Sequence, residues 1–411
     1  MRILHTADWH LGKNLEGISR MDEQEEFLTD FVRIVEENNI DLIMIAGDVY
    51  DGPNPPARAE KMFYDTLKRL SKNGERLTLV IAGNHDNPDR LVAAGPLARD
   101  HGIIMVGTPK TVVPCGEYGI HKVLDSGEGF IEVEINHEKS VILTVPYPSE
   151  KRLNEVIYDY MEEEEEKAKS YSDKIFSLFD SLKSHYREDT INLVISHLFA
   201  MGSEEGGSER SIQLGGTYIV DGKCFPEEAQ YIALGHVHKP QIVPGTDKRA
   251  RYCGSPIHYN KKEISFNKKC YIVEVKPKEE CNIEEVNLKV YKPIEVWKCA
   301  NIEEAISKCE ENKERDCFVY LEIATDRYIR EDEIKQMKDF KKDIIEIIPK
   351  IKGVDEEEVT FTLSEKSFEE IFRDFYTKER GTSPAEDVVE LLLSIINEEE
   401  GETYETNKIE D

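Results

Sequence analysis

The sequence has no Cys-x-x-C pair, no apolar run of membrane-spanning length and no excess of basic charge. The eight cysteines are widely spread, which argues against a zinc ribbon, a dithiol redox pair or a disulfide framework, so we expect buried thiols. No apolar run reaches the ~18 residues that a membrane span needs. Asp8 falls where a signal peptide would need its apolar segment. These absences predict a soluble, cytoplasmic protein without a membrane partner.

Charge excludes one class of nucleic-acid binder. The chain has 53 Lys and Arg against 83 Asp and Glu, a formal charge of −30. A protein that coats nucleic acid through its overall charge needs a cationic surface, so this class is excluded, although a local basic site is not. The length of 411 residues and a hydrophobic content of 39% predict two or three domains with substantial cores.

Apolar strands alternate with amphipathic helices in the first hundred residues. Arg2–Thr6, Leu42–Ala46 and Leu77–Ile81 are predicted strands, and Asp22 with Glu25 resembles a capping box that opens the first helix. Strands separated by helices indicate a parallel sheet with both faces covered. Alternation with Gly turns between 110 and 148 instead predicts antiparallel strands. The fold class is therefore α/β.

The second half continues with strands at 191–196, 231–234, 251–255 and 270–275. A helix with an acidic run is predicted at 154–187. A smaller segment begins near Lys292, with a helix at 302–312, a strand at 317–323 and a helix at 331–348. The tail contains two predicted helices with apolar faces in a strongly acidic surrounding, since residues 351–411 hold 6 basic and 19 acidic residues. These helices either pack on the core of this chain or dock on a partner.

Five polar clusters follow five predicted strands directly. They are Asp8-Trp-His10, Gly47-Asp48-Val-Tyr-Asp51, Gly83-Asn84-His85-Asp86, Ser196-His197 and Gly235-His236-Val-His238. Ligands of open α/β sheets bind beyond the carboxyl ends of the strands, so one edge should gather these side chains. Carboxylate and imidazole ligands without thiolate suit a pair of borderline divalent ions such as Mn²⁺. Two such ions can clamp a phosphate group and activate water.

Other nearby groups are assigned simpler roles. Asp86 is expected to orient His85 or to cap a helix rather than to bind metal. The histidines outside the clusters are expected to be surface or satisfied core residues: His5, His101, His121, His137, His185 and His258. The segment from Lys239 to Lys269 contains eight basic and two acidic residues. This excess of positive charge predicts either a phosphate-positioning patch or an ordinary solvated hairpin.

These clusters resemble the calcineurin-like metallophosphoesterase superfamily. The finer motifs resemble the SbcD nuclease family, the bacterial counterpart of the nuclease subunit of the eukaryotic double-strand-break repair complex. The similar segments are HTADWHLG at 5–12, AGDVYD at 46–51, GNHDNPDR at 83–90, ALGHVHKPQ at 233–241 and YCGSP at 252–256. The resemblance is strong over about 1–275 and rests on layout beyond that. It implies a metallophosphoesterase β-sandwich flanked by helices, a small C-terminal α/β domain for capping and DNA binding, and a helical tail, with boundaries expected at 1–287, 288–360 and 361–411.

The resemblance also implies roles for single residues. One metal would be held by Asp8, His10, Asp48 and His238, and the other by Asp48, Asn84, His197 and His236. His85 would assist the leaving sugar oxygen or stabilise the transition state. Archaeal and eukaryotic repair nucleases often have His three positions after the bridging Asp, where this chain has Asp51, so the role of that position is absent or changed here.

The implied function is a two-metal, Mn²⁺-dependent DNA nuclease. It would act as a 3′→5′ double-strand exonuclease and as an endonuclease in DNA end processing, repair, recombination and replication. Its partner would be an SbcC-type coiled-coil ABC ATPase, bound by the C-terminal helices, and the chain would form a homodimer. The clusters alone are also compatible with an enzyme for small phosphodiesters or phosphomonoesters. A scaffold that has lost its metals is a third hypothesis, against which the full set of seven ligands and His85 argues. The segment from 290 onward and the apolar tail argue against a small-molecule phosphatase.

Overall fold

The computed structural model describes residues 1–149, 171–209 and 219–351, together with Pro384, Val388 and Val389. The chain divides into two units, Met1–Ile351 and Lys352–Asp411, and the first contains nearly all of the described residues. The predicted acidic run lies outside the described residues, and so do the predicted tail helices except for Pro384, Val388 and Val389. Within the described ranges, no helix is long and apolar enough to span a bilayer.

A six-stranded sheet contains the strands predicted in the first hundred residues. Strands are numbered in chain order, and this sheet contains β1 (Arg2–Thr6), β4 (Leu42–Ala46), β5 (Leu77–Ile81), β6 (Ile103–Val106), β17 (Lys269–Glu274) and β18 (Asn282–Asn287). Their order is β18-β17-β1-β4-β5-β6. The strands β1, β4, β5 and β6 are parallel, as predicted, whereas β17 and β18 add an antiparallel edge.

A second, eight-stranded sheet contains β7 (Gly116–Tyr118), β8 (His121–Gly127), β9 (Phe130–Ile135), β10 (Glu138–Val145), β11 (Ile191–His197), β14 (Tyr231–Gly235), β15 (Gln241–Ile242) and β16 (Ala250–Tyr252). Their order is β15-β16-β14-β11-β10-β9-β8-β7. The predicted antiparallel region forms β7 to β10, and β10, β11, β14 and β16 are parallel. Two small ribbons pair β2 (Asn14–Leu15) with β3 (Ile18–Ser19) and β12 (Phe199–Ala200) with β13 (Ile219–Val220).

The two sheets pack face to face, and helices cover their outer faces. Successive residues of β1 show the division, because Ile3 faces the second sheet and Leu4 faces the helices. Helices Met21–Glu37 and Ala57–Leu70 cover the six-stranded sheet, and Tyr171–Leu182 covers the eight-stranded sheet. Shorter helical turns are Lys72–Gly74, Pro88–Val92, Gly95–Ala98, Arg99–His101, Lys183–His185, Gly222–Cys224 and Lys261–Ser265. The predicted β-sandwich flanked by helices is confirmed.

A smaller α/β arrangement follows from residue 294 onward. It contains β19 (Ile294–Cys299), helix Ile302–Glu311, β20 (Phe318–Thr325), helix Glu331–Phe340 and β21 (Ile344–Ile351). The three strands form a parallel sheet with a core of its own. The predicted helix at 331–348 is wrong in its second half. The chain becomes extended at Lys341, and the isoleucine-rich run that follows joins the sheet, as β-branched side chains favour.

The ribbon of β2 and β3 contacts this C-terminal sheet. Leu15 is buried in a cluster with Ile294, Phe318 and Tyr320. The ribbon begins only four residues after His10, so a cluster residue and the C-terminal sheet are joined by one short stretch of chain. The predicted capping box nearby is wrong. Arg20 occupies the N-cap position, and Asp22 instead lies 2.7 Å from the Arg58 guanidinium.

Candidate metal centre

The five polar clusters meet at one edge of the sandwich. β1, β4 and β5 end there in one sheet, and β11 and β14 end there in the other. Two hydrogen bonds join the sheets at this edge. His197 Nδ1 donates to Ala46 O at 2.9 Å, and the His236 backbone N–H donates to Asp8 Oδ1 at 2.9 Å. The candidate site is therefore built from both sheets.

The first group contains Asp8, His10 and His238, whose ligand atoms lie within 4.8 Å of one another. All three side chains are buried. The His10 and His238 Nε2 atoms are 2.9 Å apart. Asp8 Oδ2 is buried and has no hydrogen-bond partner among the described residues. A buried, unpaired carboxylate oxygen beside two converging imidazole nitrogens is satisfied by a cation.

The second group contains Asp48, His197 and His236, also within 4.8 Å of one another. Asn84 lies between its two histidines, because Asn84 Oδ1 is 2.9 Å from both His197 Nε2 and His236 Nδ1. Asp48 Oδ2 is 3.4 Å from His197 Nε2 and 3.6 Å from His10 Nε2. This oxygen therefore faces both groups, which is the position that a bridging carboxylate requires.

The backbone at the site is strained. Asp8, His10, Asp48 and His236 all have positive φ, at 54°, 45°, 49° and 102°. Such conformations cost of order 1–3 kcal/mol each for residues other than glycine, and they persist where the surroundings impose them. The Gly83 backbone packs closely against the Asp48 side chain. Only glycine fits there without a shift, because a Cβ atom would lie 2.1 Å from Asp48 Oδ1.

Burial and mutual contact shift the pKa values of the cluster. Burial raises the pKa of Asp8 to about 7, although His197 and His238 oppose the rise. Burial alone would lower the pKa of His197, but the Asp48 and Asp8 carboxylates and the hydrogen bond to Ala46 together outweigh it and raise the value to about 9. For His236, burial and the neighbouring imidazoles lower the pKa to about 3. Without metal, His197 and part of the Asp8 population are thus protonated at neutral pH, whereas His236 is neutral.

The donor chemistry fits two divalent ions. The two groups offer carboxylate, carboxamide and imidazole atoms in buried positions, one carboxylate faces both, and one carboxylate oxygen is unpaired. The expectation of buried thiols holds for six of the eight cysteines, whereas Cys115 is exposed and Cys281 is partly buried. No cysteine belongs to either group, which agrees with a site for borderline rather than soft metals.

His85 lies beside the first group. Its ring centroid is 4.6 Å from that of His10, and its backbone N–H donates to Asp48 Oδ1 at 2.9 Å. Nδ1 of His85 donates to the Asp51 carbonyl oxygen at 2.7 Å, which leaves Nε2 as the atom for proton exchange. The Asp51 carboxylate is 2.8 Å from Lys13 Nζ. Asp51 therefore belongs to the site, since its carboxylate lies within 4.8 Å of ring nitrogens of His10 and His85.

Asp86 has neither of the two roles expected for it. Its Oδ2 accepts the backbone N–H groups of Gly83 at 2.9 Å and Val49 at 3.1 Å, and its Oδ1 accepts that of Tyr50 at 2.9 Å. Asp86 thus ties the turn that follows β5 to the loop that follows β4. Since Asp48 and Asn84 lie on these two segments, Asp86 holds their relative position.

The histidines outside the clusters lie away from the two groups. His5 is buried between the sheets, with Nδ1 2.9 Å from the Tyr231 hydroxyl and Nε2 3.2 Å from the Leu234 carbonyl oxygen. Burial lowers its pKa to about 3, so it is a neutral core residue, as expected. His185 stacks on Phe130 with ring centroids 3.5 Å apart.

Most basic side chains of the stretch between Lys239 and Lys269 have partners within the protein. Six of its eight basic side chains have partners: Lys239 with Glu204, Arg249 with three carbonyl oxygens, Arg251 and Lys269 with Glu285, Lys261 with Glu346, and Lys268 with Glu263. Lys268 is almost completely buried. The local excess of basic residues is real in the sequence, but it does not form a uniform cationic surface.

The sequence analysis missed the residues that hold the clusters in place by hydrogen bonds to their backbone or ring atoms. Gln24 Nε2 donates to the His10 carbonyl oxygen and to the Tyr259 hydroxyl, both at 2.8 Å, and Tyr259 donates to the Trp9 carbonyl oxygen. Ser208 Oγ lies 2.5 Å from His238 Nδ1. These contacts join segments that are distant along the chain, and no local motif marks them.

Two protein families match parts of the chain. Residues 1–240 match the calcineurin-like phosphoesterase family, and residues 290–380 match the family described as type 5 capsule protein repressor C-terminal domain, SbcD_C. The SbcD protein of the SbcCD nuclease from Bacillus subtilis is 39% identical over 96% of this chain and 97% of the relative. The chain belongs to the SbcD nuclease family.

More distant SbcD relatives extend this result. The SbcD protein of the Escherichia coli K12 SbcCD nuclease is 28% identical over 90% of this chain and 92% of the relative. The protein of the same name from Rhodobacter capsulatus is 32% identical over 65% of this chain and 64% of the relative. Membership in the SbcD family confirms the prediction of a metal-dependent nuclease of the calcineurin-like phosphoesterase fold. Divalent metal binding follows from the phosphoesterase family and agrees with the two side-chain groups.

Proposed function

We propose that the protein is a DNA nuclease that uses two Mn²⁺ ions at the edge where the sheets meet. Asp8, His10, Asp48 and His238 would hold one ion, and Asp48, Asn84, His197 and His236 the other. The carrying observation is the position of Asp48 Oδ2, which is 3.6 Å from His10 Nε2 and 3.4 Å from His197 Nε2. When bound, such ions supply positive charge to a phosphate group and activate the attacking water.

The chain's own residues would complete the reaction. His85 would transfer a proton to the leaving sugar oxygen through Nε2, since its Nδ1 proton is held by the Asp51 carbonyl oxygen. Asp86 would keep Asp48 and Asn84 at a fixed separation through its three backbone hydrogen bonds. The burial of the cluster would exclude bulk water and strengthen the electrostatic interactions within it.

The finer substrate and assembly proposals rest on the family. We assign 3′→5′ double-strand exonuclease and endonuclease activity in the cytoplasm, and a homodimer that works with an SbcC-type coiled-coil ABC ATPase. Residues 1–287 would form the nuclease domain, 288–360 a capping domain, and 361–411 the helical tail that binds the ATPase. The names of the relatives, each of which is one subunit of the SbcCD nuclease, support a two-protein complex.

The direct test is degradation of end-labelled duplex DNA with Mn²⁺. The wild-type protein should release labelled nucleotides from a 3′-labelled strand first and shorten a 5′-labelled strand progressively. His85→Ala should lose about 10²–10⁴-fold in rate, the usual contribution of a general acid, and should still bind two ions. His137→Asn is the matched control, because His137 is exposed and lies outside the site.

The alternative substrates give a clear contrary result. A wild-type protein that hydrolyses bis-nitrophenyl phosphate or nitrophenyl phosphate but leaves duplex DNA intact, with the ATPase present, would contradict the nuclease proposal. Loss of bound metal in His85→Ala would instead contradict the assignment of His85 as a proton donor.

The tail assignment has its own test. Placing Asp at Phe372 and Leu391 should interrupt the apolar faces of the two predicted tail helices. Phe372→Asp/Leu391→Asp should abolish co-elution with the ATPase and leave Mn²⁺-dependent cleavage of short DNA unchanged. Co-elution that survives both substitutions would argue for a different docking surface.

A further inference from the structure

His238 is held by a chain of hydrogen bonds that no local motif predicts. Its Nδ1 is 2.5 Å from Ser208 Oγ, and the same hydroxyl is bonded to the Glu263 carboxylate. We propose that Glu263 is a positioning residue for the metal centre: through Ser208, it holds the His238 imidazole with Nδ1 protonated and Nε2 directed at the first metal group. This inference rests on the proposed role of His238 as a ligand.

The direction of the proton donors follows from the chemistry of the three groups. An ionised carboxylate can only accept, so Ser208 donates its single hydroxyl proton to Glu263. The serine oxygen is then the acceptor for the Nδ1 proton of His238. A neutral imidazole has one ring proton, so Nε2 keeps its lone pair, and this is the nitrogen that lies 2.9 Å from His10 Nε2. The chain of bonds therefore selects the tautomer that can bind a metal.

The negative charge of Glu263 is balanced by the neighbouring ammonium group of Lys268. Its side chain is 0% exposed, and its Oε2 lies 2.5 Å from Lys268 Nζ and 3.1 Å from the Tyr259 backbone N–H. Lys268 also donates to Ser255 Oγ at 2.7 Å and to the His238 carbonyl oxygen at 3.2 Å. The buried ion pair thus contacts the backbone of His238 while its carboxylate orients the ring.

His238 is further fixed on its amide side. Its backbone N–H donates to Glu209 Oε1 at 2.7 Å. The second metal group is supported differently, since His197 Nδ1 donates to a backbone carbonyl oxygen, that of Ala46. A change in the Ser208–Glu263 pair should therefore act on the first metal group and spare the second.

The test measures Mn²⁺ binding directly, by calorimetric titration and by the electron paramagnetic resonance signal of free Mn²⁺. Wild type should bind two ions. Ser208→Ala removes the relay and keeps the Glu263–Lys268 pair, so it should weaken one ion about 10–100-fold and leave the other unchanged. Glu263→Gln should act in the same direction, because a carboxamide can donate to Ser208 and permit the other tautomer. Ser208→Thr, which retains the hydroxyl, should restore the lost affinity.

A matched control is available in Glu285→Gln, which removes an exposed carboxylate 2.6 Å from Lys269 and should bind as wild type does. Folding of each variant is checked by thermal unfolding. If wild type binds two ions and the folded Ser208→Ala and Glu263→Gln variants bind both with unchanged affinity, the inference is wrong and the two-metal site stands. If wild type binds fewer than two ions, the two-metal site itself is wrong, and the inference fails with it.

Discussion

Binding of metal should release protons from the ligands whose pKa values are raised, and the share of two of them can be calculated. The pKa of Asp8 is raised to about 7 by burial. The pKa of His197 is raised to about 9, because Asp48, Asp8 and the hydrogen bond to Ala46 together outweigh the opposite effect of burial. At pH 7, Asp8 would carry about half a proton and His197 close to one. Metal ligands must be deprotonated, so Asp8 and His197 together should release about 1.5 protons at pH 7 when both positions are filled. His238 adds to this release, because its carboxylate neighbours, Glu263 first, outweigh the effect of burial and raise its pKa.

The sign and size of the pH effect follow directly. Protons compete with metal, so affinity should rise as the pH increases. Between pH 6 and pH 8, the two titrations together raise the product of the two association constants by about three powers of ten, or ~4 kcal/mol at 1.36 kcal/mol per decade. Most of the change contributed by Asp8 falls below pH 8, because its pKa lies near 7.

The released protons can be counted by calorimetric titration with Mn²⁺ in several buffers that differ in ionisation enthalpy. The apparent binding enthalpy is plotted against the ionisation enthalpy of the buffer, and the slope gives the number of protons released. His197→Asn removes one titrating group and should lower the release at pH 7 by about one proton. His137→Asn, at an exposed position, should leave it unchanged. A release close to zero in wild type, or an unchanged slope in His197→Asn, would refute the assignment of these protons to the metal ligands.

Three substitutions test the support of the site. Gly83→Ala should weaken metal binding and destabilise the fold by about 1–3 kcal/mol in urea unfolding, since the added Cβ would lie 2.1 Å from Asp48 Oδ1. Asp86→Ala leaves three backbone N–H groups without their acceptor and should cost more than about 3 kcal/mol at ~1–3 kcal/mol per group; a smaller loss would indicate that water replaces it. Leu15→Ala should cost about 2–5 kcal/mol if its contact with Phe318 is as closely packed as its burial indicates, and an unchanged urea midpoint would contradict that packing.

The positions of the site residues were predictable because chain direction determines them. Each cluster follows a short apolar strand, and parallel strands place their carboxyl ends together, so the meeting of His197 with Asp48 needed no knowledge of distances. The antiparallel region between 110 and 148 was also predictable, because alternating apolar and polar residues separated by glycine turns are typical of antiparallel strands.

The supporting contacts could not be predicted, because they depend on packing between distant segments. Ser208 and Glu263 are separated by 55 residues and meet only when the fold is complete. The partners of the basic stretch could not be predicted for the same reason, since Glu346, the acidic partner of Lys261, lies far along the chain. Local signals also failed at 331–348, where Lys341 ends a helix that amphipathic periodicity alone would continue.

The left-handed backbone at Asp8, His10, Asp48 and His236 has a consequence for evolution and for engineering. A sequence optimised only for the stability of this backbone would place glycine or asparagine at these positions, because each present residue costs conformational energy. Design guided only by stability, without protection of the site, would therefore replace these residues and remove the site. The metal-free protein is, in this sense, selected for chemistry at the expense of its own resistance to unfolding.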